Sequence, residues 1–155
     1  MDSNYQGTRS SSVADLPHLS DDELLAALEA GTLPEARFDH AAHVRAAYLY
    51  LRRLPFPQAV ATMCTTIRNY ARALGKSERY HETITIAFMS LIHGQIWRQA
   101  EGAGWEEFRA RNPQLLRSDA LLAYYPKAVL ESPEARARFL LMPLAGEPQQ
   151  AGRCT

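Results

Sequence analysis

The stretch RFDHAAHVRAAYLYLRRLP, residues 37–55, decides the fold. Asp39 offers a side-chain oxygen to the free amides of a helix start, Phe38 stands just before it, and Pro55 stops what begins there. The spacing predicts a helix from His40 to about Arg53. Turning by about 100° per residue places His40, Val44, Ala47, Tyr48 and Leu51 on one face, with His43 at its edge. Arg45 and Arg52 fall on the opposite side, which reads as a solvated face.

The same local signals extend in both directions. Ser20 followed by Glu23 is a capping box, Leu24, Leu25 and Leu28 form an apolar stripe, and Gly31 is a natural stop. Beyond Pro55, a third helix starts near Pro57 and carries Val60, Met63, Cys64, Ile67 and Ala71 as far as Gly75. Ser77 caps a fourth helix expected over about 78–99. Its Thr83-Ile84-Thr85-Ile86 run alone would suit a strand, but the apolar pattern continues through Phe88, Met89, Ile92, Ile96 and Trp97, and that length favours helix. Short helices follow: Trp105 to Arg111, a segment capped by Ser118 and ending at Tyr125-Pro126, and a last one opened by Ser132-Pro133 and running to about Leu140. No hairpin pattern occurs. The expectation is an all-α, compact single-domain bundle of five to seven helices over residues 16–144. The polar, serine-rich residues 1–15 and the segment 145–155 read as disordered arms.

Composition bounds the function. The 155 residues carry 17 lysines and arginines against 17 aspartates and glutamates, so the basic excess of a nucleic-acid binder is missing. Cys64 and Cys154 are too few for a disulfide framework and read as free thiols, Cys64 as a small core hydrophobe. No run approaches a membrane span, and the first residues lack the apolar segment of a secretory signal. A cytoplasmic protein acting on a small molecule, with no nucleic-acid or membrane partner, is expected.

Short links between the second, third and fourth helices make sequential neighbours antiparallel, so helices two and four run parallel and start at one end of the bundle. His40 and His43 lie in the first turn of one, and His81 and Glu82 in the first turn of the other. The H-x-x-H spacing puts two imidazoles on one helical face. With His81 as a third ligand, a divalent transition metal, zinc or iron, would be held with an open position for water or substrate. Glu82 would be a fourth ligand or a general base. His81 and Glu82 would equally serve metal-free acid–base chemistry of the isomerase or lyase kind, since histidine titrates near neutral pH. The bland alternative is a binding module in which these residues only stabilise helix starts. His93 sits eleven residues after Glu82, roughly 16 Å along the axis, and belongs elsewhere. His18 carries little weight. Thr83, Thr85 and Tyr124 are weaker candidates for substrate contacts, and the threonines also suit bonds to their own backbone. Arg45 would meet a substrate carboxylate only from the solvated face.

RFDHAAHVRAAYLYL (37–51) and YHETIT (80–85) resemble the two signature stretches of an uncharacterised family of small bacterial helical proteins. NPQLL (112–116), AYY (123–125) and ARARFL (135–140) are similar to its C-terminal half. The resemblance covers about 37–144, with Ala87-Phe88 departing from the aromatic often found just after the threonines. It implies a bacterial cytoplasmic protein and marks His40, His43, His81, Glu82, Thr83 and Thr85 as motif positions. It brings no activity with it.

The leading expectation is therefore a small metal-dependent enzyme, hydrolytic or oxidative, with His40, His43 and His81 as ligands.

Overall fold

A computed structural model describes residues 18–142; the two arms expected at 1–15 and 145–155 lie outside them, as does Cys154. Seven α-helices and no strand occur among the described residues: α1 (Asp21–Glu29), α2 (His40–Arg53), α3 (Phe56–Ala73), α4 (Glu82–Ile96), α5 (Trp105–Arg111), α6 (Lys127–Leu130) and α7 (Pro133–Ala137). Single 3-10 turns at Glu35–Arg37, Ser77–Arg79, Pro113–Leu116 and Ala120–Ala123 join them.

The early helices follow local chemistry. Ser20 and Glu23 close the capping box on α1. The Asp39 side chain accepts the Ala42 amide at 2.8 Å and so starts α2. Gly31 adopts φ +69°, and a Cβ there would stand 2.9 Å from the Ala73 Cβ. Glycine is required twice over, for the left-handed turn and for the close approach of α3. Leu24, Leu25 and Leu28 bury against Tyr48, Tyr50, Met63, Phe108 and others in one core.

The helix directions follow from the end-to-end contacts. Phe56, at the start of α3, stacks on His93 late in α4, with centroids 4.5 Å apart. Arg68, late in α3, pairs with Glu82 at the start of α4. Phe38, just before α2, meets Tyr70 late in α3 at 5.0 Å. Both α2 and α4 are therefore antiparallel to α3 and parallel to each other, and their early residues meet where the His40 ring touches Phe88 at 5.1 Å.

Several boundaries differ from the sequence reading. The fourth helix does not begin near Glu78. Ser77 forms only a 3-10 turn and caps nothing, and His81, with extended backbone, is the residue before the helix. The reason is tertiary: the Arg136 guanidinium donates to the Glu78 and Tyr80 carbonyls at 2.8 and 3.1 Å and fixes the 3-10 turn and the extended Tyr80 that follows it. Ser118 caps nothing either; the turn at Ala120–Ala123 follows Asp119, whose carboxylate is taken by Arg117. The last helix opens at Ser132 as expected, but stops at Ala137 because residues 138–140 straighten to meet α4. No helix among the described residues is long and apolar enough to cross a membrane.

Candidate functional site

A chamber of about 290 Å³ opens between α2, α3 and α4. Its floor is apolar and buried: Val44 and Ala47 from α2, Met63 and Ile67 from α3, Ile92 from α4. Its partly exposed rim is His40 and His43 from α2 with Ile84, Thr85 and Phe88 from α4. For scale, a cavity of about 150 Å³ lined by aliphatic and aromatic groups admits benzene.

Each rim imidazole is anchored through one nitrogen. His40 Nε2 lies 3.0 Å from the Leu115 carbonyl, and His43 Nδ1 lies 2.9 Å from the Asp39 carbonyl. A carbonyl only accepts, so each of those nitrogens carries the hydrogen. The remaining nitrogens, His40 Nδ1 and His43 Nε2, have no protein partner among the described residues, and in the neutral imidazole each bears a lone pair. The His43 ring lies flat on Phe38, with centroids 3.7 Å apart. Burial pushes its pKa below the ordinary histidine value, and the neighbouring His40 adds to this against the opposing hydrogen bond to Asp39. His43 is thus neutral at pH 7, with an acceptor nitrogen. Thr85 spends its hydrogen on the His81 carbonyl at 2.8 Å, so its oxygen has only lone pairs left to offer.

The residues at the start of α4 are engaged differently. His81 is buried, only 7% exposed. Its Nε2–H donates to the Leu130 carbonyl at 2.7 Å, and its Nδ1 accepts the Ile84 amide at 3.2 Å. Both nitrogens are committed, so His81 has no lone pair to give a metal or a proton. It is a helix cap that also fastens the end of α6. Thr83, fully buried, donates to the Arg138 carbonyl at 2.8 Å and accepts the Leu140 amide at 3.0 Å. It holds the C-terminal segment against α4 and faces no ligand. Glu82 accepts from Arg68 and from the Tyr80 hydroxyl, the latter at 2.6 Å. The Arg68 guanidinium also covers the Tyr80 ring at 4.6 Å. Burial, then hydrogen bonds to Cys64 and Glu82, raises the Tyr80 hydroxyl. Burial likewise raises the Cys64 thiol, which stays protonated as an inert core group.

The parallel start of α2 and α4 therefore does not gather the four expected residues. His40, His43 and Thr85 share the chamber; His81, Glu82 and Thr83 do not line it. Among the described residues no three histidine, cysteine, aspartate or glutamate side chains are placed to hold one ion. Tyr124 is exposed and lines a separate surface recess near Gln114 and Asp119.

No family model, curated protein or solved structure matches this chain.

Arg45 is a correction to the sequence reading. Its side chain is 12% exposed, not solvated; it donates to Asp21 at 2.6 and 2.9 Å and to the Leu19 carbonyl at 3.0 Å, tying α1 to α2. His93 accepts from the Trp97 indole at 3.1 Å and stacks on Phe56, away from the chamber. The chamber floor was legible as apolar periodicity but not as a cavity. Whether facing stripes fill the space between them depends on volumes summed across three helices, which no single stripe contains.

Proposed function

We propose that the protein takes a small, largely apolar molecule into the chamber between α2, α3 and α4, and performs metal-free acid–base chemistry on a proton at or next to its polar group. His43 Nε2 is the proton acceptor. His40 Nδ1 and the Thr85 oxygen are the adjacent polar contacts. The observation that carries this reading is the pair of imidazoles whose N–H groups are spent on backbone carbonyls, leaving one acceptor nitrogen each on the rim of an apolar cavity. A neutral imidazole with a depressed pKa is a base that is unprotonated at working pH, and its fixed tautomer needs no reorientation. An apolar floor supplies the low dielectric in which one such hydrogen bond counts most.

A second reading has one observation in its favour. Metal-binding histidines characteristically donate their other ring N–H to a carbonyl or carboxylate, as His40 and His43 do here. Zinc or iron held by these two would take its remaining ligands from water or substrate, as His81 is engaged in its cap. Metal analysis of untagged protein incubated with zinc or iron(II) separates the two readings: substoichiometric uptake leaves the acid–base reading alone.

The test uses 1-naphthaleneethanol, a neutral aromatic alcohol, followed by its own fluorescence. Saturable binding is expected, weakened about fivefold in His43→Phe, which keeps the ring stack on Phe38 but removes the acceptor. Absence of binding to the wild type, or binding indifferent to both His43→Phe and Ala47→Leu, which fills the chamber from its floor, overturns the proposal.

A further inference from the structure

The chamber has a neighbour. A second recess of about 260 Å³ lies toward the end of α3, and the two share His43 and Ile67 as a common wall. The second recess carries charge on its lining: Glu35, Lys76 and Arg79. Lys76 Nζ meets Glu35 at 2.6 Å, and Arg79 meets the other oxygen of the same carboxylate. Two cations on one carboxylate leave a surplus of one positive charge. Both cations bind an anion already, which shows that their geometry suits a carboxylate.

The first chamber offers an anion no partner. Its imidazoles turn lone pairs outward, its threonine hydroxyl has spent its hydrogen, and no cation lines it. An acidic group that a ligand seated there extends past His43 would meet Lys76 and Arg79 in the neighbouring recess.

We propose that the ligand is a small organic acid: an apolar body in the chamber beside His43, and a carboxylate or similar anion held by Lys76 and Arg79 in competition with Glu35. This rests on the chamber being a ligand site, and deepens that reading by assigning the substrate class. His43 then sits between the apolar body and the anion, at the carbon atoms near the acid group, where a neutral base would act.

The experiment compares 1-naphthaleneacetate with 1-naphthaleneethanol, which share the ring system and differ in the carboxylate. The acid is expected to bind about tenfold more tightly at low salt, an advantage that shrinks as salt rises. Lys76→Met lowers that preference while leaving the alcohol unchanged. Glu35→Gln raises it, because the competing carboxylate is gone; a gain of binding cannot arise from a misfolded variant. Equal affinity for acid and alcohol, with no response to Glu35→Gln or Lys76→Met, overturns the organic-acid assignment while the chamber reading stands. Failure of both probes to bind overturns the chamber reading and this one with it.

Discussion

Replacing Ala47 by leucine tests whether the chamber is a real vacancy in the core. Enlarging a residue that is 3% exposed normally forces neighbours off their rotamers and costs about 1–3 kcal/mol. Here the expected sign is reversed. Ala47 lies on the floor of a cavity of about 290 Å³, so the added carbons enter space that no protein atom occupies. Three carbons at about 0.8 kcal/mol each, less about 0.5–1 kcal/mol for the leucine rotamers, give a net stabilisation of about 1.5 kcal/mol. For a chain of this size that is a rise of roughly 3–6 °C in Tm. Urea titration of the wild type and Ala47→Leu, with the m-value checked for constancy, measures it. The same substitution should abolish binding of 1-naphthaleneethanol, so stability rises as ligand binding falls. A destabilisation of about 1 kcal/mol or more would show that the helices close over this space, and the reasoning from cavity to ligand would fall with it.

Two further outcomes follow from the geometry. Thr83→Val keeps the shape of a fully buried side chain but strands the Arg138 carbonyl and the Leu140 amide; a loss of about 2–4 kcal/mol and faster exchange of the Leu140 amide are expected, and Thr83→Ser should recover most of it. The depressed pKa of His43 means that the folded state resists a proton the unfolded chain accepts; its contribution to stability is complete above the ordinary histidine pKa of about 6.5 and is lost as pH falls through the folded value, so the wild type should lose stability relative to His43→Phe on acidification, with the difference between them flat above neutrality.

The contrast between α2 and α4 shows where sequence reading succeeds. The start of α2 is local chemistry: Asp39 caps an amide three residues on, and the prediction from 37–55 matches the helix residue for residue. The start of α4 is set from afar. Ser77 is as good a cap by composition as Asp39, yet the helix waits until Glu82 because Arg136, more than fifty residues later, holds the preceding carbonyls. Arg45 shows the same limit. Helical periodicity put it opposite the core stripe, but α1 covers that side and leaves Arg45 mostly buried, paired with a half-exposed Asp21.

The candidate site divides along the same line. The sequence by itself determined the all-helical class, the first three helices, the parallel run of α2 and α4, and the placing of His40 and His43 on one edge of α2. These rest on periodicity, caps and short links, all of which act within a few residues. Tertiary structure alone decided which motif residues meet. His81 looks equivalent to His43 in the sequence, but its partner is the Leu130 carbonyl, 49 residues away, while His40 is tied to Leu115 at a separation of 75. His81 and His40 each give Nε2–H to a distant carbonyl and part at the second nitrogen, which the Ile84 amide claims in His81 and no described residue claims in His40. Those bonds to distant carbonyls, and the volume left between three helices, exist only once the chain has folded.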